Sequence, residues 1–173
     1  TTGEVGGEKT GKKKYLVNGV GKRAVDFVGI LKAVYFGPQD LELITNSPGL
    51  RRKYLDSVLY QVDREYLRAS LSYEKGLRSR NKILEEMKES GIVDRRRLFF
   101  WDQLLIKNGN VITGKREEYI NYLNNVKCKI YNVQFSVDYD RSTISEERLR
   151  QYDKEEIAAG ATLVGPHRDD FNI

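Results

Sequence analysis

At 173 residues the chain has room for one domain, or for one domain and part of a second. Its 39% hydrophobic and 32% charged residues exclude a disordered polymer. No apolar run approaches the roughly 20 residues of a bilayer span. Thirty Lys and Arg against 25 Asp and Glu leave a net charge of +5, an excess that permits a polyanionic partner without requiring one.

The single Cys128 excludes an internal disulfide framework and fits a reducing cytosol. No secretory signal pattern opens the chain. Residues 1–13 are rich in Gly and Lys and read as a flexible linker or hairpin loop. Within them Gly6 and Gly11-Lys12 imitate the phosphate-binding pattern G-x-x-x-x-G-K, but Lys13 stands where Ser or Thr would hold magnesium. Neither an apolar strand before it nor a helix after it is expected, so the match is accidental. Residues 15–17 followed by Asn18-Gly19 predict a strand and tight turn. A short helix is expected over 24–31. A buried strand is expected over 32–36, broken by Gly37-Pro38, and then one or two helical turns over 40–45.

Ser47-Pro48 starts a helix reaching about Gln61, with Leu50, Tyr54, Leu55, Val58 and Leu59 on one stripe. Asp63 caps the longest helix, 64–90, which Gly91 closes. Its apolar line is Tyr66, Leu67, Ser70, Tyr73, Leu77, Leu84 and Met87, and its opposite face is basic. A third helix follows Asp94, loosened at residues 108–110, and helical spacing resumes from Arg116 to Ile130. Residues 134–139 alternate like a strand, and Ser145 with Arg148 starts a last helix that ends at Gly160. Residues 162–164 then read as a short strand, Gly165-Pro166 as a turn, and 171–173 as a second strand cut in mid-course, which suggests a piece of something larger. The fold class is mixed and mainly α: a long-helix arm of antiparallel helices inserted into a small β-sheet. The divisions are 1–13, a β-rich part at 14–46, the helical arm at 47–160 and returning strands at 161–173.

Three constellations carry chemical potential. Pro38, Gln39 and Asp40 follow a strand end, where a side-chain amide or carboxylate can orient water or a metal. They lead to Arg51, Arg52 and Lys53, which can grip a phosphate, tie the arm to the strand-bearing lobe, or form surface ion pairs with Asp56 or Glu42. The second constellation, His167-Arg168-Asp169-Asp170, sits on the bend, either as a ligand site or as a set of turn-stabilising groups. It also imitates a kinase catalytic loop, without the Gly-rich domain that reading demands. A nuclease using Asp169 and Asp170 would need further converging carboxylates. The third is a basic coating formed by Arg64, Arg68, Arg78, Arg80, Arg95, Arg96 and Arg97, suited to a phosphate backbone or simply solvated. No Cys/His metal spacing, nucleophilic triad or internal repeat is present.

Two of these segments together resemble the RecF family, bacterial recombination mediators related to the ATP-binding-cassette heads of chromosome-maintenance proteins. Pro38, Asp40, Leu41, Leu43, Ile44, Ser47, Pro48, Arg51, Arg52, Tyr54, Leu55 and Asp56 fit the family's first pattern, from which Gln39 and Asn46 depart. The second pattern, Val-Gly-Pro-His-Arg-Asp-Asp, is whole from Val164 to Asp170. Trp101-Asp102 and the long helices look like the family's arm, and residues 15–19 like the strand and turn before it. The resemblance covers about residues 12–173.

It implies an arm attached to a remnant of an ABC-type ATPase head that dimerises on ATP. It further implies DNA binding at gapped or single-strand/double-strand junctions, work with RecO and RecR to load RecA, and a cytoplasmic, nucleoid-associated setting. It places residues 37–40 in a nucleotide-sensing loop, with Gln39 or Asp40 nearest magnesium and the attacking water. The family's phosphate-binding loop would lie before residue 1, and its signature and acidic magnesium strand after residue 173. ATP and magnesium are therefore expected to serve the intact protein. No cofactor and no complete catalytic set are expected in this piece, which supplies arm and sensing segment. The rival expectation is a non-catalytic interaction module with no nucleic-acid role.

Overall fold

The structure, a computed structural model, describes residues 2–5, 8–11, 13–35, 37–45, 47–126 and 136–172. At its start β1 (Thr2–Val5) pairs antiparallel with β2 (Glu8–Gly11). The next described element after Val5 is therefore a second strand, not the helix that a phosphate-binding loop feeds. β3 (Tyr15–Val17) and β4 (Val20–Lys22) form a second antiparallel ladder. Their turn holds Asn18 at φ 49° and Gly19 at φ 80°, the left-handed pair that matches hairpin twist. α1 (Ala24–Phe27) is one turn, shorter than expected. The chain leaves the helix at Val28 and turns left-handed at Gly29, φ 79°, where a Cβ would lie 2.6 Å from the Gln61 carbonyl oxygen.

The buried strand expected over 32–36 is absent from residues 32–35, and Phe36 lies outside the described residues. Strands are stabilised by neighbours, and none of the described strands lies beside this segment. Ala33 instead donates its N–H to Gln61 Oε1 at 2.9 Å, while Val34 and Tyr35 stand 100% and 82% exposed. A 3-10 turn at Pro38–Leu41 runs into α2 (Glu42–Thr45), and Ser47-Pro48 opens α3 (Pro48–Val62). Asp63 ends α3 and caps α4 (Arg64–Ser90) by accepting the Tyr66 N–H at 2.9 Å; Gly91, at φ 71°, closes α4.

A 3-10 turn at Arg95–Arg97 leads into α5 (Phe99–Asn125), which is unbroken where loosening was expected at 108–110. Gly109 explains the difference. It is buried, and a Cβ there would meet Ile144 at 2.5 Å and Tyr73 at 3.2 Å. Close packing on bare backbone holds the helix at this point despite a glycine propensity cost of about 1 kcal/mol. The expected helical run over 127–130 lies outside the described residues. α4 and α5 are antiparallel: Tyr66 meets Arg116, Ser72 meets Asn108 and Arg80 meets Asp102. Their core is Leu59, Tyr66, Ala69, Tyr73, Leu105 and Ile112, continued at the far end by Leu84, Met87 and Leu98.

The last expected helix is two: α6 (Glu146–Gln151), capped by the Ser145 hydroxyl, and α7 (Asp153–Ala159), closed by Gly160 at φ 70°. The strand expected over 162–164 does not form, because side chains satisfy its backbone donors. Asn81 Oδ1 accepts the Thr162 N–H at 2.9 Å, and Glu156 Oε1 accepts the Leu163 N–H at 2.8 Å. A 3-10 turn at Pro166–Arg168 leads to β6 (Asp170–Asn172), which pairs antiparallel with β5 (Asp138–Asp140). Residues 134, 135 and 173 of the two other expected strands lie outside the described residues. The architecture is mainly α with a long-helix arm, and among the described residues its β component is three separate two-stranded ladders where one small sheet was expected. Among the described residues no helix is long and apolar enough to cross a membrane.

The two mid-helix glycines of α5 predict opposite responses. Gly109→Ala should lower unfolding free energy by about 1–3 kcal/mol through overpacking against Ile144 and Tyr73. At Gly114 a Cβ meets nothing within 4 Å, so Gly114→Ala should raise stability by up to about 1 kcal/mol. Urea titrations of both variants check the contrast.

Candidate functional site

Arg116 occupies the inward stripe of α5 that runs Leu105, Gly109, Ile112, Arg116, Ile120, and it is buried. All three of its guanidinium nitrogens donate. Nε reaches the Tyr66 hydroxyl at 2.9 Å, and Nη2 reaches Asp56 Oδ1 at 2.9 Å. Nη1 is shared between Asp169 Oδ2 at 2.9 Å and the Pro166 carbonyl at 2.7 Å. Tyr66 in turn donates to Asp56, and Tyr139, from β5, donates to Asp169. The Ser142 N–H donates to Asp169 Oδ1 at 2.7 Å. Burial alone would lower the Arg116 pKa. The surrounding Tyr66, Asp56 and Asp169 outweigh it and hold the guanidinium above the ordinary arginine value. Burial, reinforced by the neighbouring carboxylates, pushes the Tyr66 and Tyr139 phenols up, so both stay protonated donors.

The bend is clamped from its other side by α3. Arg51 grips Asp170 through Nε (2.6 Å) and Nη2 (2.8 Å), a two-pronged pair that holds the Asp170 carboxyl below its usual range. Arg52 Nη1 donates to the Asp169 carbonyl at 2.6 Å. Burial and the neighbouring Arg116 charge push Arg52 below the usual arginine value, so it lies in an electropositive spot. His167 lies between Tyr73 and the Thr162 carbonyl. Because a carbonyl only accepts, Nε2 carries the proton toward Thr162 (3.0 Å) and Nδ1 accepts from the Tyr73 hydroxyl (2.9 Å). Burial pushes this imidazole down to about 4, and the Arg168, Arg52 and Arg80 charges add to the effect.

A second buried junction lies farther along the arm. Arg80 donates through Nε to Asp102 at 2.7 Å and through Nη1 to the Thr162 hydroxyl at 2.9 Å. Glu156 Oε2 lies 2.7 Å from Nη1 but outside hydrogen-bond alignment, so that contact is an ion pair only. Burial raises the Glu156 and Asp102 carboxyls.

The predicted site residues therefore separate. In the 38–40 group, Asp40 Oδ2 accepts the Gly37 N–H at 2.6 Å and so caps its own turn; the Gln39 side chain lies outside the described residues. Of the bend residues, His167, Asp169 and Asp170 are taken up by protein partners, and the exposed Arg168 donates to the Thr162 carbonyl at 3.2 Å. Neither Arg51 nor Arg52 makes the expected pair with Asp56, because Arg116 takes that carboxylate. Among the described residues no cluster of metal-ligating groups is present, and both bend carboxylates face arginines, which leaves the nuclease reading without support. Arg80 is not on the basic face. It is 2% exposed, because the α4 stripe turns it inward between Asp102 and Glu156. Lys53, Arg64, Arg68 and Arg78 are exposed, with Arg64 reaching the Val25 carbonyl and Arg78 lying near Glu74. Arg95, Arg96 and Arg97 are exposed and paired with Asp153, Asp94 and Glu86. Sequence reasoning missed Arg116, Tyr139, Ser142 and Glu156. Arg116 carried a readable signal: a lone cation at core spacing between Ile112 and Ile120.

No family model matches the chain. It is 35% identical over 177 residues to the DNA replication and repair protein RecF of Herpetosiphon aurantiacus, covering 95% of this chain and 46% of that protein. It is 33% identical over 198 residues to RecF of Thermomicrobium roseum, covering 95% and 49%. Two solved structures of the recombination mediator protein RecF in the RecFOR pathway, one RecF-ATP and one RecF-ATPrS, match at TM-score 0.83 and 31% identity, over 93% of this chain and 48% of theirs. The chain resembles a part of RecF. It spans about half the length of the curated RecF relatives it matches. The two RecF-like stretches prove to be each other's partners. Arg51, Arg52 and Asp56 come from one, Asp169 and Asp170 from the other, and Arg116 ties them together.

Removing the Asp169 carboxylate leaves the buried Arg116 short of countercharge and strands the Ser142 N–H and Tyr139 hydroxyl. Asp169→Ala should therefore cost about 3–5 kcal/mol, and Tyr139→Phe about 1–2 kcal/mol, both read from denaturant unfolding.

His167 gives a separate, pH-dependent expectation. Its folded pKa lies below the unfolded value of 6.5, so the unfolded chain takes up the proton first. The His167 contribution is complete above pH 6.5 and is lost as pH falls toward 4, by on the order of 2–3 kcal/mol. The raised Glu156 and Asp102 carboxyls work in the opposite sense. Comparing the slope of unfolding free energy against pH in wild type and His167→Gln isolates the histidine; equal slopes would refute the assignment.

Proposed function

We propose that this chain is the arm-bearing part of a RecF-type recombination mediator, acting on DNA with ATP and magnesium supplied through the rest of the protein. The observation that carries the reading is the junction at Arg116, where two separated RecF-like stretches lock the bend to the arm. A lever that reports nucleotide state must be stiff, and this one is built from buried, mutually satisfied charges. The face around Ile30, Leu31, Val34 and Tyr35 is apolar and exposed. It borders a groove of about 650 Å³ with Leu50, Tyr54 and Val58 of α3. We read it as the face that the other half of a RecF protein covers, with residues 38–40 at its edge as the nucleotide-sensing turn.

Phosphoryl transfer needs a cradle of backbone amides, a lysine and a metal ligand. The 6–12 pattern lacks the Ser or Thr for that ligand and contains the strand β2. On this reading the chain alone neither binds nor turns over ATP. DNA contact falls to Arg52, Lys53, Arg64, Arg68 and Arg78 at a gapped or single-strand/double-strand junction. RecO, RecR and RecA act as the pathway partners, the intact protein dimerises on ATP, and the setting is the cytoplasm at the nucleoid.

A second reading, an interaction module without nucleic acid, has its own support. Arg51, Arg78, Arg95, Arg96 and Arg97 each lie within ion-pair distance of a carboxylate, which lowers the field available to a phosphate backbone.

Titrating a junction oligonucleotide into the chain across a salt series separates the two. The DNA reading expects binding at low salt, with the log–log salt slope falling by about 2 in Arg64→Ala/Arg68→Ala. An unchanged slope, or no binding at low salt, favours the interaction module. Magnesium-dependent ATP binding by the isolated chain would overturn the expectation that the phosphate cradle lies elsewhere.

A further inference from the structure

The arginines at the two junctions differ in what they hold. Arg51 holds Asp170, Arg80 holds Asp102, and Arg116 holds Asp56 and Asp169. Arg52, by contrast, donates Nη1 only to a neutral carbonyl, that of Asp169, at 2.6 Å. It is half-buried beside Arg116, so its charge is neither paired nor fully solvated. Lys53 follows it on α3, exposed and with no carboxylate in ion-pair reach among the described residues. Both line a cleft of about 260 Å³ between α3 and α4, which meet at Asp63. Arg52 Nη2 lies over the first turn of α3, 3.9 Å from where a Gly49 Cβ would stand, so the guanidinium and the positive end of the helix act at one place. Farther in, burial pushes the Tyr60 phenol up to about 12, which keeps it a donor. Ser70 Oγ beside it is buried without an aligned hydrogen bond. The two carboxylates of the cleft do not cancel its charge: Asp56 is taken by Arg116 and Tyr66, and the exposed Glu74 lies 4.0 Å from Arg78.

We propose that this cleft binds a phosphate monoester, its phosphate held between Arg52 and Lys53. The body of the ligand sits against Leu77 and Ile112, with the Ser70 and Tyr60 hydroxyls as its hydrogen-bond partners. Two unpaired cations match the charge of about −1.5 to −2 that a monoester carries near neutral pH, where a backbone diester carries about −1. The volume falls just under the roughly 300 Å³ at which pockets for drug-sized ligands begin, so it admits one compact molecule and not a run of nucleic-acid backbone. Two sources offer this chemistry: a free small molecule and the phosphorylated end of a strand. The site needs no magnesium, because both of its unpaired cations are side chains. It shares Arg52 and Lys53 with the DNA reading but goes beyond it, since a free monoester fills the cleft without any nucleic acid.

The test is calorimetric titration of the full chain, without magnesium. The probes are thymidine 5′-monophosphate, thymidine, and decathymidylate ending in either a 5′-phosphate or a 5′-hydroxyl. The monophosphate should bind at least tenfold more tightly than thymidine. Lys53→Glu should weaken it at least tenfold, while Lys75→Glu, the same charge change on the outer face of α4, leaves it unaltered. Both positions are exposed, and matching melting temperatures establish that the variants fold. Tighter binding of the phosphorylated strand than of the hydroxyl strand assigns the source to a strand end; equal binding of the two assigns it to a free molecule. Equal affinity for monophosphate and thymidine, no binding of either, undiminished binding by Lys53→Glu, or equal weakening by the two variants overturns the proposal. None of these outcomes bears on the salt series with junction DNA, which turns on Arg64 and Arg68.

Discussion

A guanidinium withdrawn from water is tolerable only where opposite charge and hydrogen-bond acceptors surround it, and that constraint organises this molecule. Arg116 sits in the inner stripe of a long helix, so α3, α4 and the bend after Gly165 must each bring a partner to it, while β5 braces the Asp169 carboxylate through Tyr139. A hydrophobic residue of similar volume would pack at least as well. An apolar contact, however, accepts sliding, whereas a carboxylate on each side of a planar fork fixes both distance and angle. The arm and bend thereby behave as one body, and the glycine contact at Gly109 brings the backbone close enough for the charges to meet.

Arg80 repeats the arrangement farther out with different chemistry. Its partner Glu156 and the adjacent Asn81 hold a segment that has no ladder of its own, by taking the backbone donors of Leu163 and Thr162. The path from α7 to the bend is thus fixed by side chains in place of a sheet. Together the two junctions pin each end of residues 160–170, and His167 closes the interval between them through Tyr73.

The helices were legible because their signals are local. Ser47-Pro48, Asp63 and Gly91 each mark an end by capping chemistry that depends on a few neighbouring residues, and the stripe from Tyr66 to Met87 faces the core as its spacing implies. Strands were harder, because an apolar run becomes a strand only when another lies beside it; residues 32–35 and 162–164 show the two ways that condition fails. The charged residues were hardest. Arg80 and Arg95 look alike as basic positions in the sequence, yet one lies among buried acids and the other in solvent. What distinguishes them is position within the apolar stripe, the same signal that Arg116 carried. The adjacency of Asp169 and Asp170 gave no hint that each would choose a different arginine.

That adjacency constrains how the segment can change. Successive residues entering an extended strand point to opposite sides, so Asp169 looks into the arm while Asp170 looks out to Arg51. Substitutions at the exposed Arg168 leave this alternation alone. Inserting or deleting one residue between Pro166 and Phe171 would instead exchange the two acids and bring Phe171 or Arg168 to face a buried cation. The loop is therefore intolerant of length: its residue count is fixed by the two acids that must face opposite ways, and only the exposed Arg168 is left open to change.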